Sequence, residues 1–478
     1  MTEFLDRMFV DGEWRRASGG ATFVVTNPVD GRVLAEVADA TPADATAAVD
    51  AASAAQAAWG STPPVERAAT IRAAAALMRD RIGHLAEVLT QEQGKPLDQA
   101  RGEIEYGIGF LEWFAEEGRR AYGMTIPAAA REKRITVVKQ PVGVTVAITP
   151  WNFPAVQILR KLGAALAAGC TMIVKPAELT PISALEIARC FADAGLPRGV
   201  LQVVTSHDPV PVADVLMADP RVRLVSFTGS TEVGKLLMRA AADTVKQVSL
   251  ELGGHAPLIV FDDADLDTAV EQTIASKMRN MGQTCVSVNR LYVHRGVVDE
   301  FVSRLVERLG TLRVGDGMHD GVAVGPLVEQ AAVDKVVRHV EDARQRGAKV
   351  VLGGGPATGL FYPPTVLVDV DETMDLAREE TFGPVAPVFV FDTEREVLDR
   401  ANDTPFGLAA YFFTNDLNRA VRVSEGLDYG TVGVNDASIS AVQAPFGGMK
   451  ASGIGREGGP AGMEEFLETK YVSLGGLA

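Results

Sequence analysis

From residue 142 to 252, short apolar runs alternate with longer stretches in which apolar residues recur every three or four positions. This period-switching predicts strands at 142–149, 171–175, 200–204, 222–227 and 245–252, with helices at 155–168, 180–194, 208–218 and 231–242. Strands joined through helices by short loops can pair only in parallel, because each helix carries the chain back to the starting edge. The pattern resumes after the glycine pair Gly253-Gly254, with helices near 264–281, 296–310, 328–347, 393–402 and 415–425. A chain of 478 residues exceeds what one core serves. The expectation is therefore an α/β protein with two α/β domains and parallel-rich open sheets: 1–122 with 142–252, then 253–450. Asp11-Gly12 and Asp30-Gly31 mark hairpins near the N-terminus. Alanine-rich helices are expected at 42–59, 64–93 and 98–118. Residues 123–141 read as a protruding hairpin, which with 451–478 makes a small β arm and tail.

Charge and composition narrow the partners. A net charge of −16 opposes binding to a phosphate backbone, so no nucleic acid is expected. No apolar run approaches the ~18 residues of a membrane span. Met1 to Arg7 lacks a leader pattern, and the three widely spaced cysteines form neither a disulfide framework nor a zinc pattern. A cytoplasmic protein without a metal is the expectation.

Polar segments fall where the predicted strands end, which in open α/β sheets is where ligands bind. They are Thr149-Pro150-Trp151-Asn152-Phe153-Pro154, Lys175-Pro176-Ala177-Glu178, Thr228-Gly229-Ser230 and Glu251-Leu252-Gly253-Gly254. Gly229-Ser230 at a strand-to-helix turn suits a diphosphate, since free N–H groups converge there; Ser230 is equally a helix cap. Lys175 and Glu178 can hold ribose hydroxyls or form a solvated pair. Glu251 alternates against Val248, Leu250 and Leu252, so it is either a desolvated general base or half of a buried ion pair. Asn152, held between aromatic residues and prolines, is an amide placed to stabilise an oxyanion or to close a turn.

Cys285 follows Gly282-Gln283-Thr284 at the end of a helical stretch. A thiol at such a turn can be exposed and partly ionised, as a nucleophile requires; taken alone, a small buried core residue is the better reading. Cys170 and Cys190 sit among apolar residues and are read as core.

These motifs, together with Glu379-Glu380-Thr381-Phe382-Gly383-Pro384 and Pro445-Phe446-Gly447-Gly448, resemble the NAD(P)-dependent aldehyde dehydrogenase superfamily over nearly the whole chain. The resemblance implies a Rossmann-like cofactor domain, a catalytic domain and an oligomerisation arm, assembled as a homodimer or homotetramer. It implies that Cys285 attacks the aldehyde while Asn152 and the Cys285 N–H hold the oxyanion. Hydride then passes to NAD, and Glu251 activates the water that releases the acid. Thr149, Trp151, Lys175, Glu178, Gly229, Ser230, Leu252, Glu380 and Phe382 would hold the cofactor. Glu178 favours NAD over NADP, because a carboxylate accepts from a 2′-hydroxyl and repels a 2′-phosphate. Within the superfamily the likeness is greatest to succinate-semialdehyde dehydrogenases, through Arg160, Arg279 and Ser440, which would grip the substrate carboxylate. Ser287 stands where some relatives have a second cysteine.

Other readings remain in view. The same chemistry on glutarate semialdehyde, or on aldehydes broadly, is the nearest. Acyl transfer to coenzyme A is opposed by Glu251. A thiol hydrolase is opposed by the lack of a histidine in any motif with Cys285. A protein that kept the fold and lost catalysis is opposed by the intact Cys285, Glu251 and Asn152.

Overall fold

The computed structural model describes residues 4–477. Met1 to Glu3, part of the stretch read for a leader, and Ala478, the end of the tail, lie outside the described residues. An eight-stranded sheet has five parallel strands at its centre, in the order Gln247–Glu251, Val222–Thr228, Val144–Ile148, Thr171–Lys175, Leu201–Val203. The chain thus starts in the middle, builds outward to one side, and returns to build the other. Between Val144–Ile148 and Val222–Thr228 the helices that follow diverge, leaving a crevice at the strand ends. The N-terminal hairpin Met8–Val10 with Glu13–Arg15 extends one edge in antiparallel fashion. Asp11 and Gly12 both adopt positive φ, as the two-residue turn requires.

A seven-stranded sheet follows. Its strands Thr365–Val368, Val385–Phe391, Val288–His294, Ala256–Val260, Ala409–Phe413 and Thr431–Val434 run in parallel, and Lys349–Leu352 is antiparallel at one edge. The chain crosses from the first sheet to the second between Glu251 and Ala256. A third sheet pairs Leu467–Leu474 with Arg134–Pro141, and that strand with Met124–Ile126. The terminal region does more than form this sheet: Gly453–Ile454 adds an antiparallel strand beside Gln247–Glu251, bringing residues 453–457 against the first sheet.

Two expected helices differ from the structure. The stretch 64–93 is two helices, Pro64–Asp80 and Ile82–Gln93, broken at Arg81. The helix expected over 264–281 spans Leu266–Met278 and stops before a left-handed turn. Both interruptions occur among good helix formers, so local propensity gave no warning of them.

Candidate active site

The crevice at the diverging strand ends has a volume of ≈ 340 Å³ and is lined from both sheets, by Trp151, Asn152, Gly229, Ser230 and Leu252 on one side and Cys285, Glu380 and Phe382 on the other. Thr149 lies at its root, where its N–H donates to the Lys175 carbonyl at 3.1 Å and ties two strand ends together. Its buried hydroxyl has no partner among the described residues. Ser230 accepts from the Val233 N–H at 3.2 Å and so caps Thr231–Ala242. The helix end therefore faces the crevice with further N–H groups free. Phe382 takes a left-handed φ of 55° and meets the Trp151 ring edge-on, with centroids 5.6 Å apart. Lys175 and Glu178 stand beside the crevice, outside its lining, with Nζ and carboxylate 3.7 Å apart. An unpaired buried hydroxyl, a free helix N-terminus and a glycine at the turn fit a dinucleotide.

Cys285 is half-buried on the wall facing Asn152. Burial pushes its thiol up to about 12, and the carboxylates of Glu380 and Glu251 add to the shift while Arg160 opposes it. Burial thus works against the partial ionisation expected of this thiol, and the nearby guanidinium offsets it only in part. The turn that presents it depends on Gly254. A side chain there would bring Cβ to 2.4 Å from the Cys285 carbonyl oxygen. Cys170 and Cys190 are buried in the first core, as read from the sequence.

Glu251 ends its strand buried, and neither carboxylate oxygen has a hydrogen-bond partner among the described residues. The satisfied ion pair considered for it is therefore absent. Burial first, and then the neighbouring Glu457 charge, hold its proton affinity well above the usual carboxylate range. A carboxyl so placed, with raised proton affinity, suits general-base work. Glu457 is itself spoken for. It accepts from Arg160 Nη1 at 3.0 Å and from Lys161, whose Nζ also donates to the Thr228 hydroxyl at 2.7 Å. Burial would raise Glu457, but these two cations overcome it and keep its carboxyl low.

The Asn152 amide donates to the Gln283 carbonyl at 3.0 Å, two residues before Cys285. An amide nitrogen carries two N–H groups, so the second stays available to an oxyanion. Arg279 and Ser440 meet in a smaller cavity of ≈ 120 Å³, shared with Tyr106, Ser276, Thr284 and Val286. Arg279 makes no side-chain ion pair among the described residues and stacks over Phe153, its guanidinium carbon 4.9 Å from the ring centroid. Arg160 is not part of that lining. It lies deeper, against Phe110 and Phe446, with Nη1 committed to Glu457 and a buried Nε that donates to nothing among the described residues.

Several groups here were not picked out from the sequence. Glu329 and Lys335 line the crevice opposite Ser230, and Lys161 and Glu457 stand behind Glu251. One signal existed for the last pair. Adjacent Arg160 and Lys161 sit in the middle of Val156–Ala168, a 13-residue helix buried at every position, and buried cations demand a buried anion.

The Aldehyde dehydrogenase family matches residues 14–472. The chain is 52% identical to succinate-semialdehyde dehydrogenase [NADP(+)] of Escherichia coli, over 99% of this chain and 98% of that one. It is 51% identical to glutarate-semialdehyde dehydrogenase of Pseudomonas putida, over 98% of each. The crystal structure of succinate-semialdehyde dehydrogenase from Burkholderia pseudomallei superposes with a TM-score of 0.98 at 50% identity, covering 99% of this chain and 98% of that one. The chain belongs to the aldehyde dehydrogenase family.

Proposed function

We propose that the protein oxidises succinate semialdehyde to succinate with NAD, through a thioester on Cys285. The observation that carries this reading is the placement of Arg279, without an ion-pair partner among the described residues, with Ser440 in a small cavity beside the nucleophile's turn. Burial disfavours the Cys285 thiolate, so attack on the aldehyde calls for a group that takes the thiol's proton. Glu251, with raised affinity and no competing partner, is the group suited to take a proton from the thiol or from water. The carbonyl oxygen, as it gains charge, would lie between the free N–H of Asn152 and the Cys285 backbone. When bound, nicotinamide supplies the hydride acceptor, and the residues suited to hold the dinucleotide are Ser230, Trp151, Glu380 and Phe382 with Lys175 and Glu178 at its ribose. After oxidation Glu251, having released any proton taken from the thiol to solvent, would deprotonate the water that cleaves the thioester. Arg279 and Ser440 would grip the far carboxylate, and the unpaired Nε of Arg160 can add a third donor.

NAD is favoured by Glu178, whose carboxylate repels a 2′-phosphate, while NADP use is compatible with Lys175 beside it. A second reading, glutarate semialdehyde, is supported by the relatives of that name. We further propose a homodimer or homotetramer, working in the cytoplasm. Initial rates with succinate semialdehyde, glutarate semialdehyde and butanal, each with NAD and NADP, test these readings. Succinate semialdehyde with NAD should give the highest kcat/KM, with butanal at least about a hundredfold lower, as the loss of a bidentate ionic contact demands. Butanal matching the semialdehydes would remove the arginine pocket.

A further inference from the structure

The loop carrying Asn152 and the turn preceding Cys285 are held by one strip of polar side chains that takes no part in the chemistry described above. Lys95 is fully buried, directly after the end of Ile82–Gln93. Its Nζ donates to the Asn152 backbone carbonyl at 2.7 Å and forms an ion pair with Glu103. The other oxygen of Glu103 accepts from the N–H groups of Ala155 at 2.9 Å and Val156 at 3.2 Å, at the start of the helix following Asn152. One turn before Glu103 on Leu97–Glu117, Gln99 accepts from the Asn280 N–H at 2.8 Å. Asn280 closes the circuit, since its amide donates to that same Asn152 carbonyl at 2.8 Å and to the Gln283 carbonyl at 3.2 Å.

A buried ion pair is a poor device for stability, because hydrophobic residues of similar volume hold a core as well at lower desolvation cost. Its directional bonds are what an apolar pair cannot replace. Apart from the Lys95–Glu103 pair itself and a bond from Gln99 Nε2 to the Ala323 carbonyl at 3.3 Å, they end on the backbone of Asn152, on the two residues that open the next helix, or on the turn that leads to Cys285. The Asn152 carbonyl receives one charged and one neutral donor, which fixes its peptide plane and hence the direction in which the side-chain amide leaves the chain.

We propose that Lys95 and Glu103, with Gln99 and Asn280, are positioning residues for the oxyanion site, setting the Asn152 amide against the Cys285 turn. The inference rests on the reading of Asn152 as the oxyanion donor. It implies that the pair acts on transition-state charge through Asn152 and leaves substrate and cofactor binding alone.

The experiment is a double-mutant cycle of Lys95→Met and Glu103→Gln, each in the parent and in an Asn152→Ala background. In the parent, each should lower kcat/KM for succinate semialdehyde and single-turnover acylation roughly tenfold to a hundredfold, as displacement of an oxyanion donor does. The Kd for NAD, followed by fluorescence, should stay within about twofold, and in the Asn152→Ala background neither substitution should cost more than about twofold further. An equal loss in both backgrounds overturns the proposal, because a merely structural defect ignores the amide. So does a Lys95→Met enzyme as fast as the parent. If Asn152→Ala is itself fully active, the oxyanion assignment falls first and the positioning role with it. Should Lys95→Met fail to fold, Glu103→Gln, which keeps an acceptor for the helix N–H groups, carries the same cycle.

Discussion

Cys285 shows what a single residue's neighbours in sequence reveal and what they conceal. Its location after Gly282-Gln283-Thr284 was enough to mark it as the candidate nucleophile. Its ionisation was not legible, because desolvation comes from packing against the second sheet's core, whose residues are drawn from across residues 256–446. The same holds for Glu251, where strand alternation showed the direction of the side chain but not the missing partner or the like charge of Glu457. A thiol pushed up to about 12 by burial predicts a specific alkylation profile for the enzyme without cofactor. Below its pKa the thiolate fraction of Cys285 grows about tenfold per pH unit, so iodoacetamide labelling should climb with that slope from pH 7 to 9 without levelling. Peptide mass spectrometry separates this site from Cys170 and Cys190. A plateau below pH 8 would mean that the thiol is activated in the resting protein and that burial does not govern it.

The element that decides the site's shape is the turn Arg279–Gly282. The sequence reads as helix through residue 281, since arginine and methionine are good helix formers and a single asparagine does not stop one. In the fold, Asn280, Met281 and Gly282 all take positive φ, at 49°, 56° and 75°. Left-handed conformation costs a non-glycine residue about 1–2 kcal/mol, so two in succession persist only because other contacts fix them. The bonds that Asn280 donates to Gln99 and to the Asn152 carbonyl provide that fixation, and they join residues far apart in sequence. Strands and helices around the site were legible because periodicity is local; this turn was not, because its cause is tertiary. Gly282 is the position where the conformation is least tolerant. A Cβ there would lie 2.2 Å from the Gly383 carbonyl oxygen. Gly282→Ala is therefore expected to destabilise the protein by at least about 2 kcal/mol and to lower kcat by more than about tenfold, since the turn aims Cys285. Thermal melting and initial rates check this together. An alanine variant with parent Tm and kcat would show that the turn relaxes without harm.

At the scale of the whole molecule, the two parallel sheets enclose the chemistry, while the third sheet lies apart from it and presents apolar residues to solvent. Its strands Met124–Ile126, Arg134–Pro141 and Leu467–Leu474 expose Met124, Ile126 and Tyr471 on one face and Val138 and Leu474 on the other, and Tyr471 is 61% exposed. A long antiparallel ribbon with apolar side chains and unpaired edge groups is a liability for an isolated chain, and burial against another copy removes it. The sequence already suggested a protruding hairpin from Ile126-Pro127 and the following β-branched run. It did not reveal the register with the tail, Leu467 opposite Pro141 through Leu474 opposite Arg134, because that pairing joins segments over three hundred residues apart. If the ribbon is the assembly surface, introducing charge should separate the subunits while leaving each crevice intact. Tyr471→Glu with Leu474→Glu is expected to lower the mass measured by light scattering from that of an oligomer toward 50.7 kDa, the mass of one chain. Binding of NAD by the separated chain, within about threefold of the parent, would show that the crevice is built by one chain alone, as a pocket lined from its own two sheets should be. An unchanged mass would place the assembly surface elsewhere, and the apolar ribbon would then need another occupant.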